Sequence, residues 1–119
     1  METVNLSEKF SRFSDYCHPR VIGEVNDFYV KAVKLLGEFV WHHHDDEDEL
    51  FLVVKGTLRI KFHDGDAIVR AGEFVVVPKG VEHCPAAEEE VHIVLIEPKS
   101  TLNTGTITNE RTVAQLERI

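Results

Sequence analysis

Trp41-His42-His43-His44-Asp45-Asp46-Glu47-Asp48-Glu49-Leu50 is the stretch on which the fold and the chemistry of this chain turn. Imidazole and carboxylate are the side chains that hold divalent transition metals. A β-scaffold builds such a site from two ligands close together on one strand and others that return from elsewhere. Side chains alternate along a strand, so His42 and His44 share one face and His43 takes the other. Glu49 stands just beyond the acidic turn, at the start of the following strand, within reach of the same ion. The distant partner is His83. It follows Pro78-Lys79-Gly80-Val81-Glu82, a tight turn that brings another strand alongside.

Working outward, strand signals surround this stretch on both sides. Residues 28–36 alternate and then become apolar, and residues 38–44 form a second strand. The apolar run 50–54 is short enough for a strand buried on both faces. Residues 57–62 alternate cleanly, with Leu58, Ile60 and Phe62 on one face and Arg59 and Lys61 on the other. His63-Asp64-Gly65-Asp66 is a hairpin turn, because Asp-Gly supplies the positive φ that such turns need. Residues 67–70, 74–77 and 92–97 complete the set. Many short strands with turn signals between them predict an all-β sandwich or barrel. Helical segments are confined to the ends. Asn5 or Ser7 caps a short helix with Phe10 and Phe13 on one face, and the chain through Pro19 connects it onward. Residues 99–108 read as loop. Residues 112–119 form a short terminal helix carrying Val113, Leu116 and Ile119.

Bulk properties narrow the class. The chain has 119 residues, which predicts one domain, and 43 % are hydrophobic, enough for one core. A net charge of −8, with no basic window, argues against nucleic acid and anionic membranes as partners. There is no long apolar run for a membrane span and no signal-peptide pattern at the N-terminus, so a cytoplasmic protein is expected. Cys17 and Cys84 are then expected to be free thiols. Histidine is the outlier, with 7 residues, four of them in the two segments described.

These residues resemble the two motifs of the cupins. His42-x-His44 is followed by four residues, Glu49, six residues and Gly56, as in the first motif. Gly72, five residues, Pro78-x-Gly80, two residues and His83 match the second. The resemblance covers residues 30–97. It implies a double-stranded β-helix, or jelly-roll barrel, over residues 28–98. Residues 1–27 would pack on the barrel or on a partner, and residues 99–119 would form a tail. It also implies one divalent metal held by His42, His44, Glu49 and His83. That donor set suits Fe, Mn, Ni, Cu or Zn. Two positions depart from the pattern. Ala87 stands where the family's second motif ends in asparagine. Gly37 lies one residue closer to His42 than the family's leading glycine does, and counting from it instead gives His43 and Asp45 as the pair.

The parity of Glu49 places Phe51 and Val53 in the pocket wall, and Tyr29 and His92 are further candidates. The wall is mostly apolar, with no Arg or Lys clamp for a phosphate. Cys84, next to His83, faces the other way and packs under the turn. Phe39 and Trp41 take the outer face of their strand and need a cover. Phe10 and Phe13 could supply it, or a second copy in a homodimer. The four ligands resemble those of germin-type oxalate oxidases, quercetin-type dioxygenases and acireductone dioxygenases. The resemblance therefore implies a metal-dependent enzyme of dioxygenase, isomerase or lyase type acting on a small oxygen-bearing substrate. The alternative is a small-molecule-binding or sensor barrel without turnover. A structural barrel with a vestigial site is the third reading.

Overall fold

A computed structural model describes all 119 residues. Alternation in the sequence becomes alternation in burial, as the strand Glu49–Lys55 (β3) shows. Glu49, Phe51 and Val53 are buried, and Leu50, Leu52 and Val54 between them are half-buried. The other strands are Arg20–Val25 (β1), Phe28–Glu38 (β2), Thr57–Phe62 (β4), Gly65–Arg70 (β5), Phe74–Val77 (β6), Cys84–Pro98 (β7) and Glu117–Arg118 (β8). One short helix, Leu6–Phe10 (α1), precedes them, and the Asn5 side chain caps it by accepting from the Glu8 N–H at 3.0 Å.

The strands hydrogen-bond in the order β5-β4-β7-β2-β1-β8, and β3 joins β7 to β6. The long strand β7 is the shared seam. It pairs antiparallel with β2, β3 and β4, for example Val94 with Ala32, Val94 with Leu52, and Pro85 with Ile60. A sheet closed around such a seam is a jelly roll, and its inward faces enclose the main core. Val53, Leu58, Ile60 and Val91 are fully buried there. Burying one such side chain contributes about 1.5–3 kcal/mol. The turn from β3 to β4 passes close to β7 at Gly56. Its φ is +88°, and a Cβ there would lie 2.9 Å from the Glu90 carbonyl oxygen, so only glycine fits.

A smaller apolar cluster lies on the outer face. Phe10 of α1 packs there with Ile22, Ala32 and Val94, and Phe13 and Ile119 border it. The aromatic residues of the N-terminal segment therefore cover β1, β2 and β7, not Phe39 and Trp41.

Two strand and helix assignments change, and one strand is not assigned from the sequence. Residues 38–44 do not form one strand. A bulge between Leu35 and Gly37 ends β2 at Glu38, and beyond it His42 keeps only an isolated bridge to His83. Residues 112–119 are not helical. The Thr112 hydroxyl engages Thr104 and the Asn109 N–H, bonds that compete with a helix, and β8 then pairs parallel with β1. Finally, β1 itself lacks a clean alternation, because its register slips between Val21 and Gly23 where it pairs with β2.

Candidate metal centre

Backbone geometry assembles the site before any side chain acts. The N–H groups of His42 and His83 each donate to the other's carbonyl, at 3.0 and 2.9 Å. In the Pro78-Lys79-Gly80 turn, the Gly80 N–H donates to the His44 carbonyl at 2.7 Å. Glu49 enters as the first residue of β3. These contacts bring four buried side chains together. The candidate ligand atoms of His42, His44, Glu49 and His83 all lie within 4.8 Å of one another. The Nε2 atoms of His83 and His44 stand 3.3 and 3.4 Å from Glu49 Oε1. His43 points away and meets Asp45 at 3.0 Å on the surface, so the His43/Asp45 pair is not part of the cluster.

The tautomers suit ligation. His42 Nδ1 lies 2.9 Å from the Val40 carbonyl, and His83 Nδ1 lies 2.9 Å from the Val81 carbonyl. A carbonyl only accepts, so each Nδ1 carries the hydrogen and each Nε2 is left with a lone pair. His44 is buried with no hydrogen bond at either ring nitrogen. An orphaned pair of buried nitrogens is costly in a closed protein, and a metal ion would satisfy one of them. The residues therefore fit a divalent transition ion.

Electrostatics favour the same state. Burial, with His83 nearby, lowers the His42 imidazole from 6.5 to about 4, so it is neutral at physiological pH. Burial alone would raise Glu49, but the neighbouring Glu97, His44 and His83 side chains outweigh it and hold the carboxyl well below its ordinary value. Glu97 moves the other way. Burial first, and then the Glu49 charge, hold it well above the carboxylate range. Glu97 accepts from Lys31 Nζ at 2.7 Å through Oε1, while its Oε2 meets no donor.

A cavity of about 50 Å³ opens against His42 and Glu49. By the same measure a water needs roughly 10–15 Å³, so the space holds about four water-sized groups. Its wall is mostly apolar and includes Val33, Leu35, Phe39, Phe51, Ile93 and Leu95, with Cys17 and Asn103 as polar members. A larger concavity of about 710 Å³ lies outside β4, β5 and β7, but none of the four clustered residues lines it.

Of the four residues expected in the wall, Phe51 lines the cavity. Val53 is in the core but not in the wall. Tyr29 has inward parity but lies outside the wall, with the Lys31, Lys99 and Arg118 cations 5.8, 5.4 and 5.4 Å from its ring. His92 is on the outer face, because Val91, Ile93 and Leu95 take the inward positions. It stacks on Phe10 at 4.7 Å and bonds Glu90 at 2.7 Å. Phe39, expected outside, is in the wall with its ring edge-on to His42 at 5.4 Å. Trp41 stacks on His63 at 4.5 Å. Cys84 is buried, with its Sγ directed to the Pro85 carbonyl and its thiol pushed up to about 11 by burial.

A sequence model of the cupin domain matches residues 33–97. The chain belongs to the cupin family. Its relatives agree. A cupin-2 domain containing protein from Shewanella frigidimarina NCIMB 400 superposes with a TM-score of 0.80 at 53 % identity, over 81 % of this cupin and 94 % of that chain. Protein NMB1881 from Neisseria meningitidis gives 0.76 at 37 % identity, over 82 % and 100 %. The uncharacterized protein YdbB of Bacillus subtilis (strain 168) is 42 % identical over 79 residues, which is 66 % of this cupin and 64 % of the relative's length.

Several residues at this cupin's site lie outside the motifs. Asn103 comes from the C-terminal segment, beyond the matched residues. Its amide donates to the Arg111 carbonyl at 2.7 Å and accepts from the Val113 N–H at 2.8 Å, which pins that segment over the cavity. Lys31 and Glu97 left one signal in the sequence. Each is a charged residue at an inward position of a strand that is otherwise apolar inside.

Proposed function

We propose that this cupin holds one divalent transition metal, Fe, Mn, Ni, Cu or Zn, through His42, His44, Glu49 and His83. We further propose that it is a metal-dependent enzyme of dioxygenase, isomerase or lyase type acting on a small oxygen-bearing molecule. The observation that carries this reading is the convergence of four buried donors at a mostly apolar cavity, with His44 otherwise unbonded. Such an ion supplies Lewis acidity toward a substrate oxygen, and redox chemistry with dioxygen if it is redox-active. The chain's own contribution is to present neutral imidazoles and an ionised carboxylate, and to exclude water with Phe39, Phe51 and Leu95.

A second reading rests on what the wall lacks. Beyond His42 and Glu49 the cavity offers only Cys17 and Asn103 as polar side chains, so no separate acid or base stands beside the ion. That favours a binding or sensor module in which a ligand is oriented and not turned over. Oxygen uptake by the metal-loaded protein on a panel of diols, enols and thiols separates the two. Consumption of one panel member supports the enzyme. A compound that raises the melting temperature and is recovered unchanged supports the binding module.

The proposed homodimer moves to another face. Leu50 and Leu52 of β3 pair with Val76 and Phe74 of β6, so the four share one outward surface. Phe74 is 62 % and Val76 47 % exposed. β6 pairs only with β3, so its other edge is open. An apolar edge strand of this kind invites pairing, and a second copy related by a twofold axis offers the matching edge. No helix is long and apolar enough to cross a membrane.

A further inference from the structure

The cavity at His42 and Glu49 measures about 50 Å³, well below the roughly 300–1,000 Å³ of ordinary ligand pockets. His42 and Glu49 are only 2 % and 3 % exposed. A molecule of more than a few atoms therefore reaches them only if part of the wall gives way. Most of the wall is fixed. Val33, Leu35, Phe51, Ile93 and Leu95 lie on β2, β3 and β7, which are laddered together by cross-strand pairs. Cys17 and Pro19 belong to the segment that leads into β1, and the Cys17 N–H donates to the Lys34 carbonyl of β2 at 2.9 Å. Asn103 is different, because it reaches the wall from a loop outside the barrel strands.

That loop, residues 102–113, is bonded chiefly to itself. The Asn103 side chain joins Arg111 and Val113 across its neck. Thr104, fully buried, meets the Thr112 hydroxyl at 2.7 Å, and the Asn109 side chain accepts from the Arg111 N–H at 2.9 Å. Close ends and internal packing mark an Ω-loop, a class that is frequently functional. Only two hydrogen bonds tie it to the barrel. The Thr106 N–H donates to the His43 carbonyl at 3.3 Å, and the Arg111 guanidinium donates to the Glu38 carbonyl. Arg111 also lies over the Phe39 ring, 5.9 Å from its centre. Under the base of the loop, between its Leu102 and Val113 and the Val21 and Tyr29 of the sheet, a concavity of about 240 Å³ is left. Many contacts within a segment and few to the body let it open without unfolding the rest.

We infer that residues 102–113 are a strap that lifts from the cavity to admit a substrate, with Arg111 as its latch on Glu38 and Phe39. This inference rests on the reading of the cavity as the ligand site above. Lifting takes Asn103 out of the wall and Gly105 off the His43 carbonyl. It breaks the two bonds made by Thr106 and Arg111 and leaves the ladders of β2, β3 and β7 intact.

Cys17 stands in the same wall and reports the opening, while Cys84 is buried in the barrel. The full chain, treated with chelator, is exposed to a disulfide reagent under native conditions, and each thiol is followed by mass spectrometry of its peptide. Labelling slower than reclosing tracks the population of the open form. Arg111→Ala removes a charged donor from the latch, and Gly105→Ala places a Cβ 2.0 Å from the His43 carbonyl, which forces the loop away. In each variant the rate at Cys17, relative to that at Cys84, should rise about tenfold or more over wild type. A ratio unchanged in both variants would overturn the strap, since the thiols would then be reached without it or only by unfolding of the whole barrel. If one variant does not fold, the other is read alone. The measurement involves no metal. A failed result leaves the metal reading standing, and a wild type that takes up no metal leaves the strap standing.

Discussion

Gly105 lies directly against the carbonyl of His43. A Cβ at position 105 would stand 2.0 Å from that oxygen, and the local φ of +63° is one that side chains rarely adopt. The Thr106 N–H donates to the same carbonyl at 3.3 Å. The C-terminal segment is thus seated on the stretch that carries His42 and His44, and glycine is what permits the approach. Gly105→Ala should cost at least about 1–3 kcal/mol, from overpacking and from the left-handed backbone. Urea unfolding measures the loss, and hydrogen exchange at the Thr106 amide should quicken as the segment lifts. An unchanged unfolding midpoint would show that the contact carries no weight.

Acid should weaken the metal-free protein through His42. In the unfolded chain this imidazole takes up a proton as pH falls through 6.5, and in the folded protein only near about 4. Stability is therefore lost across that window, by roughly 3 kcal/mol from this group. Glu49, held low, is ionised in the fold. It contributes stability above the ordinary carboxylate value and loses it only as pH falls through its own depressed value. Glu97, held high, works in the opposite sense, favouring the folded state as pH falls. Unfolding of the wild type and of His42→Gln at pH 7 and pH 4 isolates the first contribution. The wild type should lose more stability than the variant, and equal losses would mean that His42 is not held neutral by burial.

The four clustered donors were legible in the sequence because they depend on local rules. His42 and His44 share a face by alternation, and the Pro78-Lys79-Gly80 turn returns His83 to them. The same rule fails for Phe39. The bulge at Leu35/Gly37 and the end of β2 at Glu38 break the alternation that would place it outside. Lys31 and Glu97 could be assigned inward positions by parity, but their link to Glu49 needs the β3–β7 register. Gly105 and Asn103 depend on the path of the C-terminal segment across the barrel, which no periodicity reports. The same holds for β8, whose pairing with β1 replaces the helix that Val113, Leu116 and Ile119 suggested.

Both thiols should be sluggish toward disulfide reagents while the protein is folded. Burial raises Cys17, and it pushes Cys84 up to about 11, so little thiolate is present at pH 8. Labelling should be slow in buffer and fast in denaturant. Fast labelling of Cys84 in the native state would contradict its placement under the turn.

The open edge of β6 makes a separate prediction. Phe74→Glu puts a charge on the exposed apolar face and should shift a dimer to monomer in sedimentation velocity at micromolar concentration, leaving the melting temperature of the monomer little changed. A wild-type protein that sediments as a monomer would remove the homodimer proposal.

Metal content tests the central claim most directly. Wild-type protein purified without chelator, and the variant His42→Ala/His83→Ala, are assayed by elemental mass spectrometry, with circular dichroism to confirm that both are folded. About one divalent transition ion per chain is expected in the wild type, and a small residue of that in the variant. A folded variant that keeps a full equivalent, or a wild type that holds no metal and takes none up when it is supplied, would rule out a centre built from His42, His44, Glu49 and His83.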